Sequence, residues 1–142
     1  MASAERFLID KSAHERLSRQ SDVLDTWRDV LLQGRIGISW PTEIEILYSS
    51  RSAREYAEVK GTLADLYTWV GEPDDVGRLV LGLQEKLCGK GLRRSAGAVD
   101  PLVSVIAEAN QLTVLHYDRD FETIASITGQ PTRWLAQPGG LD

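Results

Sequence analysis

"LTVLHYDRDFETIA" spans residues 112–125. Its first part, 112–116, is apolar and rich in β-branched residues, the composition of a buried strand. From Phe121 to about Ile127 the apolar residues recur at helical spacing instead. Between the two lie Asp118 and Asp120. The stretch is a strand running into a helix through an acidic turn. A chain made of such units folds as a parallel sheet covered by helices.

Working outward, the same unit recurs. Phe7–Ile9 is a short apolar strand followed at once by Asp10, and Ser12 with Glu15 has the capping-box spacing for the helix that follows. Val23, Leu24, Trp27, Val30 and Leu31 mark an amphipathic helix over 22–32, which Gly34 ends. Residues 35–39 read as a second strand, and Pro41 opens the next helix. A further helix is expected over 52–66, a brief extended piece over 68–71 and a long helix from Pro73 and Asp74 through Leu87. Residues 88–98 form a Gly-rich basic loop, and Asp100 caps a helix that opens at Pro101 and runs to 109. A last strand is expected over 132–136. The fold class is thus α/β, a three-layer domain over residues 1–136 with a mainly parallel central sheet flanked by helices, and 137–142 is a flexible tail.

The totals narrow the function. Sixteen Lys and Arg against 21 Asp and Glu leave a net charge of −5, which argues against a dedicated duplex-DNA binder. No window approaches about 18 uninterrupted apolar residues, so no membrane span is expected. The first residues lack the basic-then-apolar pattern of a signal peptide. A lone cysteine, Cys88, forms no intrachain disulfide, fits the cytoplasm and is expected as a small buried hydrophobe on its helix.

The acids carry the chemistry. Asp10, Glu43, Glu45, Asp100, Asp118 and Asp120 all fall at the end of a strand or the start of a helix. In parallel sheets, sites form outside the carboxyl ends of the strands. Crowded carboxylates raise one another's pKa, and a hard divalent cation such as Mg²⁺ or Mn²⁺ relieves them. Such an ion assists hydrolysis of a phosphodiester. Taken singly, each acid is equally explained as a helix cap or a solvated charge. Asp10 is the exception, because a carboxylate at the end of a buried strand needs a partner.

Four segments, "FLIDKSA" (7–13), "PTEIEILYSSRS" (41–52), "VDPLVSVIAEA" (99–109) and "LTVLHYDRDFETIA", resemble in order the four acidic motifs of PIN-domain ribonucleases. More narrowly they resemble the VapC toxins of bacterial toxin–antitoxin pairs. The resemblance runs from about residue 6 to about residue 135. It implies a PIN fold, a Mg²⁺ or Mn²⁺ cofactor, single-stranded or tRNA-like RNA as substrate, a homodimer and inhibition by a VapB-type antitoxin. Carried over by motif, the catalytic acids are Asp10, Glu45, Asp100 and Asp118. Asp10, Asp100 and Asp118 are the metal ligands, and Glu45 with Asp100 orients the attacking water. Glu43 and Glu45, two apart on a helix, point to different faces, and Glu45 matches the motif better. Ser12, Glu43, His116 and Asp120 are left as outer positions. Lys11 and His116 stand where the family more often has hydroxyl residues, but no carboxylate is lost.

Lys90, Arg93 and Arg94 in the basic loop, with Lys86, Arg51 and Arg54, are candidate RNA contacts. His14 is expected to be exposed. Tyr48 and Tyr56 lie on helices that, in the resembling family, contact the antitoxin and the second protomer. A receiver-type phospho-acceptor domain needs a lysine after a late strand, whereas 135–138 reads Leu-Ala-Gln-Pro. A DxD-type phosphatase needs a second Asp where Ser12 stands. A non-catalytic PIN-like module would lose pocket acids, and all four are present.

Overall fold

A computed structural model describes residues 4–92 and 96–141. Five strands form one sheet: β1 Phe7–Ile9, β2 Ile36–Ile38, β3 Thr68–Trp69, β4 Thr113–His116 and β5 Thr132–Trp134. Their order is β3-β2-β1-β4-β5 and every pair is parallel. β1 is central because it is apolar throughout: Phe7, Leu8 and Ile9 are each at most 1% exposed, which only a strand covered on both faces can be.

The alternation of β1 sorts the two helical layers. Phe7 and Ile9 pack with Ala13 and Leu17 of α1 (Lys11–Arg19), Val23 and Trp27 of α2 (Ser21–Leu32), Leu47 of α3 (Trp40–Leu47) and Leu63 of α4 (Ala53–Leu66). Leu8 faces the other way, toward Leu83 and Leu87 of α5 (Val76–Gly89), Val103 and Ile106 of α6 (Val99–Ala109) and Phe121 and Ile124 of α7 (Asp120–Thr128). Phe7 meets Trp27 edge-on at 5.3 Å, and Trp27 Nε1 donates to Leu135 O at 2.9 Å, tying α2 to the end of β5. Gly37 has a steric reason. A Cβ there would lie 2.5 Å from Val70 Cγ2 and 3.0 Å from Thr68 O, so only glycine lets β3 close on β2.

Several local expectations shift. Asp10, not Ser12, is the N-cap of α1, and its side chain accepts from Ser12 N. Asp100 sits inside the first turn of α6, whose N-cap is Ala98. Helix α5 starts at Val76 rather than at Pro73, after a short turn that leaves Asp75 as its N-cap. It runs through Cys88, which is exposed, because the inward face is carried by Leu83 and Leu87. His14 is buried, with its Nδ1 2.6 Å from Tyr67 Oη. Residues 137–141, read from sequence as a tail, carry bonds to the body. Tyr117 Oη donates to Gln137 O at 3.2 Å and accepts from Leu141 N at 3.0 Å, and Gln20 Nε2 donates to Leu141 O at 3.2 Å. Arg93 and Arg94 lie outside the described residues. Among the described residues no helix is long and apolar enough to cross a membrane.

Candidate active site

Asp10 is placed by the sheet itself. Its N–H makes the last contact of β1, donating to Leu115 O at 2.9 Å, and the chain then turns into α1. One carboxylate oxygen, Oδ2, accepts from Ser12 Oγ at 2.7 Å and Ser12 N at 3.1 Å. The other, Oδ1, is buried with no hydrogen-bond partner. An orphaned carboxylate oxygen in a protein interior is costly unless something positive completes it. Ser12 Oγ also accepts from Tyr117 N at 2.8 Å, so one hydroxyl pins the end of β1 to the end of β4.

Asp118 follows β4 by two residues, and its Oδ1 accepts from Asp120 N at 3.0 Å. Asp100 comes in from the first turn of α6. Carboxylate oxygens of Asp100, Asp118 and Asp120 all lie within 4.8 Å of one another. Glu45 on α3 closes the remaining side. A cavity of about 260 Å³ is lined by Asp10, Lys11, Ser12, Glu15, Arg16, Glu45, Asp100 and Asp118. Four carboxylates from four segments thus meet at the carboxyl edge of the sheet, where the topology rule puts a site.

The electrostatics reflect this crowding. Asp100 is pushed up to about 8, first by burial and then by Asp10, Asp118, Asp120 and Glu45. Burial raises Asp10, against the opposing hydrogen bonds from Ser12 and the nearby backbone N–H of Lys11, which is outside bonding geometry, and Asp118 raises it further. Glu45 and Asp120 are raised for the same two kinds of reason, burial and neighbouring acids. An all-oxygen donor set, mutual repulsion and an unpartnered buried oxygen fit a hard cation. The cluster can hold a metal ion.

No protein-family model matches the chain. Among curated proteins, ribonuclease VapC21 of Mycobacterium tuberculosis is 36% identical over 136 residues, covering 94% of this chain and 96% of its own. The chain belongs to the VapC ribonuclease family. Two further members from the same organism agree. Ribonuclease VapC51 is 31% identical, covering 96% of this chain and 98% of its own, and ribonuclease VapC18 is 34% identical, covering 95% and 98%. The fold recurs in solved VapBC structures. The DNA-bound complex from Salmonella typhimurium superposes with a TM-score of 0.74 at 18% identity, covering 94% of this chain and all of that one. VapBC-1 from nontypeable Haemophilus influenzae gives 0.74 at 14% identity, covering 91% and 97%.

Within this VapC-family chain the expected positions separate cleanly. Asp10, Ser12, Glu45, Asp100 and Asp118 line one cavity, while Glu43 does not. Asp120 joins Asp100 and Asp118 in the metal-capable cluster. His116 is fully buried between Phe121 and Trp134 and does not line the cavity; its Nδ1 accepts from Asp118 N at 3.2 Å. Burial holds its imidazole down to about 4. Lys90 is exposed past the end of α5 and also lies outside the cavity lining. Sequence reading missed Lys11, Glu15 and Arg16 as lining. Their signal was present, since 11, 12, 15 and 16 are the spacing of one helix face next to Asp10.

Proposed function

We propose that this chain is a metal-dependent endoribonuclease toxin of a toxin–antitoxin pair. Asp10, Asp100 and Asp118 hold Mg²⁺ or Mn²⁺, with Asp120 beside them, and Glu45 with Asp100 orients the attacking water. The substrate is RNA, single-stranded or tRNA-like, and the protein acts in the bacterial cytoplasm. The observation that carries the reading is the unpartnered Oδ1 of Asp10, buried at a cavity that four further carboxylates line.

When bound, the ion supplies positive charge for the phosphate oxygens and acidifies nearby water. The chain's own groups do the positioning. Ser12 fixes which oxygen of Asp10 stays available, because it occupies Oδ2 twice. Glu45, its carboxyl raised by burial and by Asp10, is placed to accept a proton from water held against it. Lys11 and Arg16 border the acids and offset part of their repulsion toward an anionic strand.

A protein inhibitor and a second protomer have surface to use. Trp40, Ile44 and Tyr48 are exposed at four-residue intervals along α3, and Tyr56 is exposed on α4. Large apolar groups in such a row are typical of a protein-binding face. It is assigned here to a VapB-type antitoxin and the homodimer contact.

Cleavage of a mixed tRNA pool by purified, antitoxin-free protein tests the activity. Discrete fragments in Mg²⁺ or Mn²⁺ that disappear in EDTA are expected. Intact RNA under every condition would overturn the proposal and return the chain to a binding module.

A further inference from the structure

A polyanion meets a difficulty at this site. Several carboxylates line the cavity, and one divalent ion neutralises only part of their charge, so the strand on either side of the cut needs cations of its own. A second cavity, of about 460 Å³, adjoins the acids and shares Ser12, Arg16 and Asp118 with them. Its other walls include Tyr117, Arg119 and Trp134. Its size falls within the range of small-ligand sites.

The makeup of this second cavity differs from that of the first. Among the described residues Asp118 is the one carboxylate in its lining, and two guanidiniums line it as well. Arg16 lies over the Tyr117 ring at 4.9 Å from its centroid, with its Nη1 donating to Ser12 O. Arg119 is 5.9 Å from the Trp134 ring centroid, and its side chain is 77% exposed, with a 4.0 Å approach to Glu122. Trp134 is itself fixed: it stands edge-on to Tyr117 at 5.5 Å, and its Nε1 donates to Glu122 Oε1 at 2.8 Å. A held aromatic ring beside an exposed guanidinium combines the two elements that single-stranded nucleic acid uses, a face for a base and a charge for a phosphate.

We infer that the cavity between Arg16, Arg119, Tyr117 and Trp134 is a nucleotide subsite, taking the residue of single-stranded RNA next to the scissile phosphate. Arg119 meets its phosphate and Trp134 meets its base. The inference rests on the ribonuclease reading and adds to it a place for the flanking nucleotide.

The test measures binding without turnover. A short fluorescein-labelled single-stranded RNA of random sequence is titrated with EDTA-treated protein, and anisotropy is followed over a range of salt. Arg119→Gln is expected to weaken binding about fivefold and to reduce the salt slope by about 0.7, the loss of one phosphate contact. Trp134→Phe, which keeps a ring against Tyr117, is expected to weaken binding less and to leave the salt slope unchanged. Arg78→Gln removes the same charge from α5 and is expected to bind like wild type. In cleavage with Mn²⁺, Arg119→Gln is expected to raise KM by more than it lowers kcat. Equal binding by wild type, Arg119→Gln and Trp134→Phe would overturn the subsite, whether or not the RNA is cut. Wild type that cuts RNA with metal but shows no metal-free binding would also overturn the subsite and leave the ribonuclease intact. Wild type that neither binds nor cuts would overturn both.

Discussion

Asp10 shows what one residue can carry. Its two oxygens have different fates: Oδ2 takes both bonds from Ser12 and Oδ1 takes none. Ser12→Ala leaves Oδ2 with only the backbone N–H of position 12 and strands the Tyr117 N–H, so we expect a stability loss of about 1–3 kcal/mol by urea titration, together with slower cleavage. The two glutamates of α3 give a sharper contrast. Glu45 lines the cavity and Glu43 does not, although they are two residues apart. Glu45→Gln should lower kcat by about a hundredfold or more, as loss of a positioned base does, while Glu43→Gln should cut RNA at close to the wild-type rate. Equal losses at both positions would contradict the geometry.

At the scale of elements, the strands were the most legible part of the sequence. β1, β2, β4 and β5 are short apolar or β-branched runs, and the carboxyl ends of parallel strands collect ligands, so the acids could be read from order alone. Helix starts were legible only to within two or three residues. Asp and Ser both cap well, and which of Asp10 and Ser12 does so depends on the backbone angles at Asp10, not on composition. His14 was illegible for a different reason. Its partner, Tyr67, is 53 residues away, so nothing in its own helix announces the burial. That pair ties α1, which follows Asp10, to the end of α4. Tyr67→Phe leaves a buried imidazole nitrogen without its bond, and the expected cost is about 1–3 kcal/mol in chemical denaturation. A midpoint equal to wild type would show the bond to be dispensable.

The whole molecule stores the cost of bringing these carboxylates together. Asp100 keeps its proton up to about pH 8 in the folded chain but gives it up near 3.8 when unfolded. The folded state therefore binds the extra proton, and its contribution to stability declines as pH rises toward 8. Asp10, Glu45 and Asp120 shift in the same direction and add to that slope. The histidines act oppositely. His116, lowered to about 4, stays neutral when folded and costs stability as pH falls below 6.5, and His14 is lowered in the same direction. Above pH 6.5 the raised Asp100 carboxyl sets the slope, so the EDTA-treated protein should melt at a lower temperature at pH 8 than at pH 6.5. Added Mn²⁺ should remove that difference by taking the proton's place. A metal-free melting temperature that rises over this interval would contradict the crowding.

The most direct measurement is the rate at which folded Asp10→Asn cuts an RNA that the wild type cuts, at saturating Mn²⁺ and with matched circular dichroism. A fall of about a hundredfold or more is predicted, because on the proposed reading the substitution removes a charge from the residues that would hold the ion. Cleavage within a few-fold of wild type would contradict the assignment and place the chemistry away from the carboxyl edge of the sheet.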